Sequence, residues 1–339
     1  MTNRSRRVRL SVLDTAPIAA GSDARTALHN SVELAKRADA LGYHRYWLPE
    51  HHGMRGVAST APAVVAARIA SATHRIRVGA GGVMLPNHSP VVVAEEFGTL
   101  ECFHPGRIDL GLGRALGGPR DVADRVRGPH ERAATPFADR IAELIALFDA
   151  DGDRPAAVPA AGNRPEIWLL GSSDHTARIA GDLGLPFAAA HHLTPMNTVE
   201  ATGRYLDCFR PSAICPTPRI SISVSVIVAT NAERAHWLAG SLRMKTARRR
   251  QGEPMRLPAP DVAADRGFAT PRHPGDEPPG LIVGTTTTVL PALAALADAA
   301  DADELLVKTD VYDPEDRHES YELLMNAADR LPHPARQRP

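Results

Sequence analysis

The sequence predicts a single α/β domain over residues 1–339, folded as a (β/α)8 TIM barrel with an insertion after its seventh strand. Three observations predict it. Short apolar runs alternate with helix-patterned segments along the chain, the rhythm that builds a parallel sheet. Eight such units follow in series, the number that closes a barrel, and 339 residues suit one barrel as one domain. The rival, an open doubly wound sheet, would carry a glycine fingerprint after its first strand, and Asp14–Gly21 has none.

The units read in order as follows. Arg9–Asp14 is a strand, and Asp23–Leu41 is an amphipathic helix with Gly42 as its stop signal. Arg45–Pro49 and Pro62–Ala72 form the second unit. Arg75–Gly79 and Pro90–Cys102 form the third, its helix opened by a proline. Arg107–Leu112 and Pro136–Phe148 form the fourth, and Asp149–Pro165 reads as a connecting loop. Glu166–Gly171 with Asp174–Leu183, and Pro186–Ala190 with Met196–Phe209, are the fifth and sixth. Arg219–Ala229 alternates Ile220, Ile222, Val224, Val226 and Val228 with serine and threonine, and Asn231–Arg250 follows as a long helix. Gln251–Pro279 is dense in proline, glycine and both signs of charge, so it is expected to be irregular and to act as a lid over the site. Thr286–Ala299 is helical, Asp303–Asp310 is the eighth strand, and Arg317–Leu331 closes the chain.

Composition narrows the function classes. Lys+Arg and Asp+Glu both number 39, so no net field attracts nucleic acid or an anionic membrane. Arg4, Arg6 and Arg7 are followed by no apolar signal region, and no long apolar stretch spans a bilayer. The three cysteines, Cys102, Cys208 and Cys215, include no CxxC pair and suit a reducing compartment, so a cytoplasmic location is expected.

In a barrel the chemistry sits where the strands end. Those ends read Glu50–His51–His52, Gly79–Ala80–Gly81–Gly82, Gly111–Leu112–Gly113–Arg114, Gly171–Ser172–Ser173, His191–His192 and Thr309–Asp310. Polar, glycine and histidine residues thus collect at one rim. The histidines admit three readings: metal ligands, hydrogen-bonded rim residues, or acid–base groups beside a cofactor. Neighbours on a strand point to opposite faces, so His51 and His52 do not readily share one ion, and His51 is the better candidate for the mouth. No metal is expected. Gly113 and Arg114 suit close backbone approach and a phosphate contact. Gly171–Ser172–Ser173 before Asp174 suits an anion at a helix start, and equally suits simple helix capping.

Four segments, "YWLPEHH" (Tyr46–His52), "IRVGAGGVMLPNHSPVVVAEEFGTLECFHPGRIDLGLGRA" (Ile76–Ala115), "PEIWLLGSS" (Pro165–Ser173) and "LIVGTTTTVLPALAAL" (Leu281–Leu296), resemble the luciferase-like monooxygenase family. The look is closest to its antibiotic-tailoring subgroup. The resemblance implies FMN, used as FMNH2 with dioxygen on a hydrophobic or aromatic substrate. It also implies a separate NAD(P)H:flavin reductase and a homodimer. By position it implies His51 as the active-site histidine, and Arg114 with Ser172 as phosphate ligands flanked by Gly171 and Ser173. It places a cis peptide at Gly81–Gly82 beneath the flavin ring. Glu50, His52, His191 and His192 are assigned to the substrate side. The family's luciferases carry a cysteine where Gly113 stands and a glutamate where Gly171 stands, so light emission is not implied. Two other functions fit the same barrel: hydride transfer with the deazaflavin F420, and flavin binding without catalysis.

Overall fold

A computed structural model describes residues 8–115, 117–127, 136–149, 157–271 and 277–331. The basic start at 1–7, Leu116 of the Gly111–Gly117 loop, part of the 149–165 connection and residues 272–276 of the insertion lie outside the described residues.

Nine parallel strands form the sheet: β1 (Arg9–Leu13), β2 (Arg45–Leu48), β3 (Arg77–Met84), β4 (Ile108–Gly113), β5 (Glu166–Gly171), β6 (Phe187–Ala189), β7 (Ile220–Val228), β8 (Leu281–Gly284) and β9 (Glu304–Lys308). Following the pairings, β1 to β7 run round in sequence and β9 closes the ring between β7 and β1. The result is a closed eight-stranded parallel barrel, as the sequence predicts. β8 is additional. β7 is nine residues long and forks: Ser221–Ser225 pair with β9, while Ser225–Val228 pair with Leu281–Gly284 of β8 outside the ring.

The helices are α1 (Ala24–Leu41), α2 (Pro62–Ala70), α3 (Pro90–Phe103), α4 (Arg120–Arg127), α5 (Phe137–Phe148), α6 (Asp174–Asp182), α7 (Thr198–Cys208), α8 (Ala232–Arg250), α9 (Pro260–Asp265), α10 (Thr286–Ala299) and α11 (Pro314–Asn326). None among the described residues is long and apolar enough to cross a membrane. The caps follow the sequence signals. Asp23 accepts from the Thr26 amide at the start of α1, and Gly42 ends it at φ 87°.

Three expectations change. β3 runs beyond Gly79 to Met84, because its register shifts between Gly81 and Val83 and pairing with β4 resumes. The short helix α4 and strand β8 were not foreseen. The insertion is less irregular than its composition suggests: α9 lies within it, Leu257 is buried, and an Ala19–Leu257 bridge ties it to the loop after β1. Arg243 of α8 also donates to the carbonyls of Phe268 and Ala269.

Most strand side chains divide between two cores, while Ile227, Leu281 and Val283 of the β7–β8 extension pack in a smaller cluster of their own. Outward residues pack under the helices in one large cluster. Inward residues Leu13, Trp47, Trp168, Ala188 and Leu306 fill the barrel itself. Trp47 and Trp168 meet edge to face at 5.5 Å between centroids. Beneath them Arg45, fully buried, donates to Glu304 (2.6 Å), Asp109 (2.8 Å) and Glu166 (3.3 Å). Its guanidinium also lies 4.8 Å from the Trp168 ring centre. This plug closes the N-terminal end of the barrel and leaves the opposite end as the open one.

Removing one partner of such a buried network leaves charges unpaired, which costs about 3–5 kcal/mol. Arg45→Met is expected to lose that much stability near pH 8 by denaturant unfolding. Its orphaned carboxylates then have folded pKa values above their unfolded ones, so the deficit relative to the parent shrinks as pH falls toward 5. A deficit independent of pH contradicts the assignment.

Candidate active site at the C-terminal mouth

β2 ends in the buried Glu50, and its carboxylate is a hub. It accepts from the Met84 amide (2.8 Å), Asn87 Nδ2 (3.3 Å), His52 Nε2 (2.7 Å) and His88 Nε2 (2.9 Å). Burial pushes Glu50 up, but the hydrogen bonds from His88, Met84 and His52 prevail and hold it below the usual range. Burial likewise depresses His88, yet its bond to Glu50 carries it above the ordinary value. Glu50 therefore acts in the wall, clamping the end of β3, rather than facing a substrate. Sequence reasoning missed His88, since nothing in its local pattern points to a carboxylate 38 positions upstream.

His51 and His52 diverge. His52 turns to Glu50 and to the loop after β4, where its amide donates to the Gly117 carbonyl (2.8 Å). It is hydrogen-bonded into the wall of the mouth through Glu50. His51 turns inward. Its amide donates to Ser59 O (3.0 Å), while its ring Nδ1 is buried without a partner. Burial, with Lys308 and Lys245 nearby, pushes its pKa down to about 4. The near-neutral value expected of an acid–base histidine is not what this environment gives.

Across the mouth, His192 bonds Ser223 Oγ through Nδ1 (2.7 Å), and burial and Lys308 push it to about 3. His191 lies apart, bonded to Thr198 Oγ1 (2.9 Å) and packed against Gly280.

The β3–β4 wall is bare of side chains. The Gly81–Gly82 peptide is cis, as expected. A Cβ on Gly81 would lie 2.9 Å from the Trp47 side chain, and one on Gly82 would lie 2.5 Å from Gly111 O. Both positions thus require glycine.

Beyond this wall, Arg114 follows β4 exposed, with no partner among the described residues. On neighbouring β5, Ser172 keeps its hydroxyl uncommitted, while its carbonyl accepts from Asn197 Nδ2 (3.2 Å). Ser173 is the N-cap of α6, accepting from the Thr176 amide (3.4 Å), so the capping reading holds for its hydroxyl. Gly171 packs against Thr176, and a Cβ there would meet that side chain at 2.7 Å.

Comparison with known proteins decides the family. Residues 8–300 match the luciferase-like monooxygenases. The chain belongs to that family. It is 39% identical over 336 residues to a luciferase-like monooxygenase of Escherichia coli K12, covering 98% of this chain and 99% of that protein. The crystal structure of apo-MsnO8 superimposes with a TM-score of 0.90 at 38% identity, covering 96% of this chain and 100% of that one. The oxygenating constituent of 3,6-diketocamphane monooxygenase from Pseudomonas putida, solved with FMN, gives a TM-score of 0.72. At 20% identity, over 97% of this chain and 100% of that one, it shares the fold alone. The chain is accordingly an enzyme of the luciferase-like monooxygenase family.

His51 and His192 have folded pKa values of about 4 and about 3, below the ordinary 6.5. The unfolded chain therefore binds more protons than the folded one below pH 6.5, and stability declines as pH falls through that window. An NMR titration of the His51 ring is expected to show a midpoint near 4. A midpoint near 6.5 contradicts the buried, cation-facing placement.

Proposed function

We propose that this member of the family is an FMNH2-dependent monooxygenase acting with dioxygen on a hydrophobic or aromatic organic substrate, as in natural-product tailoring. One observation carries the reading: an unengaged arginine, an uncommitted serine hydroxyl and a helix N-terminus meet on adjacent strands beside a wall that excludes side chains. The residues fit a flavin phosphate and a flat ring. Arg114, Ser172 and the α6 start supply charge-assisted donors, and Gly81–Gly82 offers a surface against which a planar ring lies close.

When bound, reduced FMN supplies the electrons and reacts with dioxygen. The chain's own residues do the rest. Arg114 and Ser172 anchor one end. The Glu50–Met84 clamp fixes the glycine wall. His51, neutral at working pH, offers a buried nitrogen to hold or move a proton at the reacting edge. The tryptophan floor keeps water out from below. A separate NAD(P)H:flavin reductase supplies the reduced cofactor, and a second copy completes a homodimer. The inward set of His51 favours it over His52 as the functional histidine.

His51→Ala is expected to lower reductase-coupled oxygenation by about 10²-fold or more while flavin affinity changes little. If His52→Ala loses turnover and His51→Ala keeps it, the facing residue is wrong.

Arg114→Ala is expected to weaken FMN by about 1.5–3 kcal/mol, with riboflavin nearly unaffected. Titration of the parent protein with F420 separates the hydride-transfer reading: FMN should bind more tightly, and F420 binding tenfold tighter overturns the proposal. Flavin bound but never turned over, with reductase and a substrate panel present, favours a flavin carrier.

A further inference from the structure

The mouth holds a charged cluster that flavin anchoring does not use. Lys308 points inward from β9, its ammonium 2.6 Å from the Asp310 carboxylate. Lys245 reaches down from α8 to 3.9 Å from the same carboxylate and 3.5 Å from the Gly56 carbonyl. These side chains are only 12%, 17% and 4% exposed for Lys308, Lys245 and Asp310. Among the described residues, neither ammonium has a second carboxylate within 4 Å.

The surrounding groups supply no further negative charge. His51 and His192 flank Lys308 and are neutral. Glu50 is the next carboxylate toward His51, and it is saturated by its own donors. Arg317, which also faces Asp310, is paired with Asp14 at 2.6 Å. Thr15 donates to Asp310 at 3.4 Å. Two amines therefore share one carboxylate; burial outweighs Asp310 and pulls Lys245 below its usual range, and an anion seated between the two amines would offset that penalty. Such a pair calls for a partner.

Strand order says where the partner sits. Round the ring, β9 stands four strands from β4, directly across the barrel from Arg114. The two amines thus face the flavin-anchoring rim from the far wall, with the apolar Leu13 and Leu306 among the residues below them. We propose that Lys308 and Lys245 bind the carboxylate of an organic-acid substrate, whose apolar body extends toward the β3–β4 glycine wall. Two amines sharing one carboxylate match a monoanion. This inference rests on the monooxygenase reading for the substrate's role, but the binding site stands apart from it. A reduced flavin ring is also a monoanion, and its edge at His51 would lie beside Lys308, so the test below separates the two anions.

Calorimetry tests this on flavin-free and FMN-loaded full-length protein, with phenylacetate against phenylacetamide and octanoate against octanamide. Each acid is expected to bind at least tenfold tighter than its amide. Lys308→Met and Lys245→Met should each bring acid affinity close to that of the amide, with melting confirming a folded protein. Lys308→Arg should keep the preference. The proposal is overturned if acid and amide are indistinguishable in the parent, absence of binding by both included, or if the preference survives in both methionine variants. It is also overturned if Lys308→Met shifts the flavin midpoint potential but leaves ligand selectivity alone, since the anion is then the flavin. An acid preference in protein that fails to bind FMN keeps this site and removes the monooxygenase reading instead.

Discussion

The inside of this barrel is governed by the two tryptophans at mid-depth. Trp47 and Trp168 fill the interior with Leu13, Ala188 and Leu306, and β3 and β4, which lie between β2 and β5, present glycines beside them. A Cβ on Gly79 would come 2.0 Å from Asp109 O, one on Gly111 would come 2.3 Å from Ala80 O, and one on Gly81 would strike Trp47. Close packing of this kind tolerates no added carbon without backbone movement. Trp47 excludes a side chain at Gly81, while the close approach of the β3 and β4 backbones excludes one at Gly79 and Gly111. The tryptophans set the floor below the mouth, and the glycines the smooth wall beside it.

Charge is arranged around that floor in two layers of different kind. Below, Arg45 is surrounded by Asp109, Glu304 and Glu166, a layer in which the acids satisfy the cation. Arg219 bonds Glu166 at 2.8 Å, and the surrounding arginines hold that carboxyl down at about 2 despite its burial. Above, the balance reverses, and Lys308 and Lys245 outnumber Asp310. The lower layer pairs its cation with three acids and serves the fold, with Glu304 Oε2 the one oxygen of these acids left without a partner among the described residues. The upper one leaves two amines to one carboxylate at the C-terminal mouth. Burial first, and Lys308 after it, keeps His51 and His192 neutral.

Most of the barrel was legible because its signals are local. Strand runs, the prolines opening α2 and α3, and Asp23 and Gly42 at the ends of α1 all act within a few residues of themselves. The divergence of His51 from His52 was legible from strand alternation. What stayed hidden depends on distant partners. Glu50 reads as a rim residue until His88 and Met84 arrive from beyond β3. Leu281–Gly284 is only four residues long, and pairing with the far half of β7 makes it a strand. The proline-rich insertion gained order from Arg243 and Ala19, neither within it. Lys245 lies on α8 within a basic stretch that reads as solvated, and no sequence pattern brings it to Asp310.

The central claim is that the β3–β5 side of the mouth receives a flavin, with its phosphate and its ring in fixed places. A crystal structure of the protein soaked with FMN tests this most directly. The account predicts phosphate density between Arg114, Ser172 and the start of α6, with the isoalloxazine ring over Gly81–Gly82 and its edge toward His51. A phosphate bound at Lys308 and Lys245, or a ring stacked away from the glycine wall, would contradict it.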